Sequence, residues 1–123
     1  MQSGTRILLV DDEPLLLSSL RRIVARTRPD AVVVYAATPE AAEWQLQSTT
    51  VRLVVTDMRM WSDDRAGMRV IGAARHAGVP VAVLSGADPA FLESLGLEGI
   101  AIIHKRTMTT DQVAKLIETV FAA

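Results

Sequence analysis

Apolar residues fall into short blocks along the chain: Ile7 to Val10, Ala31 to Ala37, Val51 to Val55, Val81 to Leu84 and Ile100 to Ile103. None alternates cleanly with polar positions, and blocks of this length and texture predict parallel strands covered on both faces. Between the blocks the apolar residues recur at helical spacing. The clearest cases are Val113, Leu116, Ile117, Val120 and Phe121 near the end, and Leu16, Leu20, Ile23 and Val24 near the start. Strand and helix therefore alternate five times.

Helix-start signals agree with this reading. Asp12 or Glu13 before Pro14, Thr38 before Pro39 and Asp88 before Pro89 each set a capping side chain ahead of a proline suited to the first helical turn. Thr109 and Gln112 have the spacing of a capping box. A third helix is predicted from about Gly67 to His76, closed by Gly78 and Pro80. Five strand-helix units with short, right-handed connections make an α/β fold: an open, doubly wound parallel sheet with helices on both faces. With no linker, repeat or low-complexity tract, residues 1–123 are expected to form a single domain.

Composition narrows the function classes. The chain has 123 residues, half of them apolar, enough for a sizeable core. Thirteen basic residues against fourteen acidic ones leave a net charge of -1, so electrostatics gives no reason to expect nucleic acid or an anionic membrane as partner. The absence of cysteine excludes disulfides and thiolate metal sites. No basic start leads into a long apolar stretch, so a cytoplasmic, soluble protein is expected.

In open sheets of this kind, chemistry gathers beyond the carboxyl ends of the strands. The residues there are Asp11, Asp12 and Glu13 after the first strand, Asp57 after the third, Ser85 and Gly86 after the fourth, and Lys105 after the fifth. Taken singly, each reads as a cap, a turn former or a solvated charge. Together they make an acidic mouth with one lysine. Clustered carboxylates resist joint ionisation unless a cation sits among them. With oxygen ligands and a phosphate, the fitting cation is Mg2+. A carboxylate beside that metal can act as a nucleophile toward phosphorus. The metal and a lysine would then neutralise the oxygens of the transferring group, and Ser85 would donate to a third.

The chain resembles the response-regulator receiver family from about Thr5 to Ala122. The resemblance rests on Ile7-Leu8-Leu9-Val10-Asp11-Asp12-Glu13-Pro14, Val54-Val55-Thr56-Asp57 with Met60 following, Val83-Leu84-Ser85-Gly86, and Lys105. It implies a flavodoxin-like (βα)5 sheet in the strand order 2-1-3-4-5. It implies Asp57 as phosphoacceptor, Asp11 and Asp12 as the metal-binding acids, and the backbone carbonyl of Arg59 as a further ligand. Ser85 becomes the hydroxyl that moves toward the phosphate and Lys105 its ion-pair partner. It further implies a phosphorelay receiver rather than an enzyme in the usual sense, catalysing only its own phosphorylation and dephosphorylation. The phosphodonor is a sensor histidine kinase or a histidine phosphotransfer protein. The signal passes to a downstream protein or output domain, with room for a phosphorylation-dependent homodimer.

Several positions depart from the family. After Met60 stands Trp61 in place of proline, in a longer loop through Ser62-Asp63-Asp64-Arg65-Ala66-Gly67. Trp61 is expected to pack on the third helix rather than serve as a lid or partner contact, and Asp63 and Asp64 to form a solvated turn rather than a metal site. Arg106 replaces the family's proline after Lys105, so a trans peptide is expected there. Ile102 stands where many receivers carry a switching aromatic. Arg59 is expected to be an exposed arginine near the pocket mouth, the alternative being a pairing with the phosphate or an acid that alters the lifetime of the phosphorylated state. Neither His76 nor His104 is expected to be a ligand. These departures motivate an alternative, a degenerate receiver acting as a phosphorylation-independent interaction module. Retention of Asp11, Asp12, Asp57, Ser85 and Lys105 argues against it. An aspartate-nucleophile hydrolase of the haloacid-dehalogenase type would want an acid where Arg59 stands.

Overall fold

The computed structural model describes residues 5–122. Strands β1 (Arg6–Val10), β2 (Val32–Ala36), β3 (Leu53–Thr56), β4 (Val81–Ser85) and β5 (Ala101–His104) alternate with helices. The helices are α1 (Pro14–Thr27), α2 (Pro39–Ser48), α3 (Ala66–His76), α4 (Pro89–Glu93) and α5 (Thr110–Ala122). All strand pairs are parallel and the sheet order is β2-β1-β3-β4-β5. This is the doubly wound, flavodoxin-like sheet in the strand order that the resemblance implied.

Two side-chain layers sandwich the sheet. On one face Leu8, Val10 and Val54 meet Ala42 and Leu46 of α2 and Val70 and Ala74 of α3. On the other, Ile7, Leu9, Leu53 and Val55 meet Leu20 and Val24 of α1 and Val113 and Ile117 of α5. A third cluster joins Met58, Ile71, Val83, Leu92 and Leu97 under α4. The central strands β1, β3 and β4 are buried on both faces. The outer strands β2 and β5 are only partly covered, although their apolar blocks look alike in sequence. Position in the sheet makes the difference: an edge strand has a neighbour on one side only.

The helix ends reflect local chemistry. Thr38 Oγ1 accepts from Ala41 N–H, Asp88 from Ala90 N–H, and Thr109 and Gln112 bond reciprocally as a capping box. The expectation for α1 needs correction. Glu13 is its N-cap residue but makes no side-chain capping bond, and the Asp12 carboxylate bonds elsewhere. Pro14 already removes one donor from the first turn, and the Glu13 N–H is taken by Asp11 Oδ1 at 2.9 Å. Among the described residues no helix is long and apolar enough to cross a membrane.

Candidate functional site

The acidic residues stand where the central strands end, and the sheet's hydrogen bonding continues one residue past the strands to hold them. Asp57 N–H donates to Val10 O at 2.9 Å, and Asp11 N–H donates to Ala36 O at 3.1 Å. Both side chains are buried, with residue exposures of 6% and 2%. Asp57 Oδ1 accepts from Met58 N–H at 2.8 Å, while Oδ2 accepts from Lys105 Nζ at 2.8 Å. The same ammonium lies 3.1 Å from Asp11 Oδ2 and 3.6 Å from Glu13 Oε1. Lys105 thus reaches from the end of β5 across the sheet to the acids of β1 and β3.

One lysine does not balance this charge. Carboxylate oxygens of Asp11, Asp12 and Asp57 all lie within 4.8 Å of one another. Burial, opposed by the Glu13 N–H and by Lys105 but reinforced by the Asp57 charge, pushes Asp11 up to about 6. For Lys105, burial pulls downward, but the hydrogen bond and charge of Asp57 and the charge of Asp11 outweigh it and raise its pKa. Three hard oxygen ligands with unbalanced negative charge suit Mg2+.

Above the acids opens a cleft of about 640 Å³, bordered by Asp12, Asp57, Trp61, Ser85 and Lys105. Ser85 is buried at the end of β4, its Oγ accepting from Ala87 N–H at 3.0 Å. The fold therefore brings Asp11, Asp12, Asp57, Ser85 and Lys105 together. Arg59 sits on the rim, its guanidinium 3.1 Å from Asp64, with both side chains well exposed. Asp63 Oδ1 accepts from Arg65 N–H in the exposed turn. No described peptide bond is cis, so Lys105-Arg106 is trans and Lys105–Thr107 forms a 3-10 turn. His76 and His104 lie outside the cleft lining. Ile102 pairs with Val83 and packs against the cluster under α4.

Trp61 corrects an expectation. Its side chain is largely exposed rather than buried against α3; the indole Nε1–H donates to Ala37 O after β2 at 2.8 Å, and the backbone N–H donates to Asp12 Oδ2 at 2.8 Å. Its φ is 59°, the one positive value at a described residue other than glycine. A left-handed backbone at an L-residue costs about 1–2 kcal/mol, and no sequence pattern signals it at a tryptophan.

Gly67 has a closer role than ending a turn. A Cβ there would lie 2.8 Å from Met58 Cα and closer still to the Asp57 carbonyl oxygen. Its N–H donates to Met58 O at 2.7 Å. The start of α3 therefore rests directly on the backbone that carries Asp57. Its place between the acidic loop and a helical pattern was the available signal.

A family model described as the response regulator receiver domain matches residues 7–118. The chain belongs to the response regulator receiver family. Solved receivers share its fold. The response regulator receiver protein from Sinorhizobium medicae WSM419 superposes with a TM-score of 0.84 at 24% identity, covering 98% of this chain and 96% of that one. A CheY-like receiver domain protein from Methanospirillum hungatei JF-1 gives 0.79 at 22% identity, with 98% and 96% covered. The isolated receiver domain of RcsB from Salmonella enterica serovar Typhimurium, solved in the presence of phosphomimetic BeF3-, gives 0.81 at 21% identity, with 98% and 90% covered. No curated protein matches the sequence. Receiver domains are signalling modules of two-component systems that work with histidine kinases or phosphotransfer proteins and with output domains. They typically bind Mg2+ in an acidic pocket, and the acidic cluster here fits such an ion.

Proposed function

We propose that this receiver accepts a phosphoryl group on Asp57 from a phosphohistidine donor, a sensor histidine kinase or a histidine phosphotransfer protein. The observation that carries the reading is the Asp57 carboxylate at the floor of an open cleft, 2.8 Å from Lys105 and flanked by Asp11 and Asp12. An Asp57 oxygen attacks phosphorus in line. The P–O bond forms, the P–N bond of the donor breaks, and the imidazole nitrogen leaves with its electron pair and takes up a proton.

Asp11, Asp12 and Asp57, with the backbone carbonyl of Arg59, are the residues that would hold Mg2+. When bound, the ion neutralises charge on the transferring oxygens. Lys105 exchanges part of its contact with Asp57 for a phosphoryl oxygen, and the Ser85 hydroxyl turns from Ala87 N–H to donate to another. Water attack on the acyl phosphate later breaks the P–O bond, releases orthophosphate and restores the carboxylate.

The new charge biases the packing around the cleft and so alters protein contacts. Moving the population from nearly all inactive to nearly all active requires the phosphate to favour the active form by about 5.5 kcal/mol. The test is incubation with acetyl phosphate, with and without magnesium, followed by intact mass. A single phosphoryl adduct is expected with magnesium, lost in Asp57→Asn and sharply reduced in Lys105→Met. No magnesium-dependent adduct in the parent chain would favour a phosphorylation-independent interaction module.

A further inference from the structure

Met60 and Asp63 exchange backbone hydrogen bonds of 3.2 and 3.1 Å, so the chain reverses through two central residues, Trp61 and Ser62. The first carries the positive φ, in a place where a tight reversal ordinarily uses glycine. Trp61 is 64% exposed, so burial does not explain a large aromatic in this strained position. Two bonds do account for it. The reversal aims the Trp61 N–H at Asp12 Oδ2, and the indole is anchored 2.8 Å away on the carbonyl of Ala37. No other hydrogen bond to Asp12 is seen among the described residues. Strain of this kind persists where surrounding bonds over-determine it, and it concentrates at functional sites.

We propose that Trp61 is a positioning residue for Asp12. Its indole ties the loop after β3 to the end of β2, and its N–H then fixes the Asp12 carboxylate in the orientation that a magnesium ion shared with Asp11 and Asp57 requires. The inference rests on the metal-binding reading of the acidic cluster given above. An Asp12 held on one oxygen keeps the other free, so the ion meets a carboxylate whose rotamer is already set. A free carboxylate would lose that rotational freedom on binding. Groups that orient a metal ligand in this way commonly alter affinity by about 10–100-fold.

Two substitutions separate positioning from simple structural support. Trp61→Gly keeps the N–H and suits the left-handed backbone but removes the anchor. Trp61→Phe keeps a ring and the strain but removes the indole donor. Magnesium chloride is titrated calorimetrically into the whole chain and each variant, at a temperature where thermal melts show all three fully folded. Both variants are expected to bind magnesium roughly tenfold more weakly than the parent, and the metal-free Gly variant is expected to melt no lower than the parent. Unchanged affinity in Trp61→Gly would overturn the role of Trp61 while leaving the acidic site intact. Parent-like affinity in Trp61→Phe beside a weakened Gly variant would assign the effect to ring bulk and overturn the anchored-indole account. Absence of magnesium binding in the parent chain would remove the metal site itself, and the role of Trp61 with it.

Discussion

Asp11 and Asp57 share one ammonium, and burial raises the Asp11 pKa from 3.8 to about 6. The neutral form of Asp11 is therefore favoured by folding. Its contribution to stability is fully present below about pH 3.8 and is lost as pH rises through about 6. That shift corresponds to about 3 kcal/mol at most. Without metal, the parent chain and Asp11→Asn should have similar stability near pH 4, and the parent should become the weaker of the two by pH 7. Urea denaturation of both proteins across this range measures the difference, and a gap that does not change with pH would contradict it. Asp11, Asp12, Asp57 and Lys105 were legible as residues following strand ends, and Ser85, read as the residue after the fourth strand, proves to be its last. The bonds made by Trp61 were not legible, because they depend on a left-handed backbone and on the carbonyl of Ala37, which follows a strand distant in sequence.

At the scale of elements, α3 carries two glycines in opposite situations. At Gly67 a Cβ would collide with the backbone of Asp57 and Met58, whereas at Gly72 it would meet nothing within 4 Å. Gly72→Ala should stabilise the fold by about 0.5–1 kcal/mol, the usual gain on replacing glycine in a helix. Gly67→Ala should destabilise it by about 1–3 kcal/mol and slow phosphorylation by displacing Asp57. Denaturant midpoints and adduct rates for the pair check this, and equal behaviour would show that α3 is free to shift. The helical patterns and the starts at Thr38, Asp88 and Thr109 were legible because propensity, capping and apolar spacing agree there. The α1 start was misread because Asp12 and Glu13 serve contacts across the cleft, so functional geometry overrode local capping.

Across the molecule, cover is uneven. The strands β1, β3 and β4 are enclosed on both faces, while β5 is a partly covered edge beside the five-residue α4. Hydrogen exchange of the unphosphorylated chain should be slowest in the three central strands and fastest, among the elements, in α4. Phosphorylation should change exchange most in α4 and β5, where Ile102 packs against the cluster under α4. Protection changes confined to α1 and α2 would contradict that. Five similar apolar blocks revealed the parallel sheet but not its edges, which depend on strand order and not on any one block; the order that makes β2 and β5 the edges was legible only through the family resemblance.

Asp57 as the phosphoacceptor is the centre of the account, and borohydride trapping tests it most directly. Reduction of an aspartyl phosphate converts the residue to homoserine, which peptide mass mapping locates. After incubation with acetyl phosphate and magnesium, conversion is predicted at Asp57 alone, and none is predicted when magnesium is chelated. Conversion at Asp11 or Asp12, or none anywhere with magnesium present, would contradict the account.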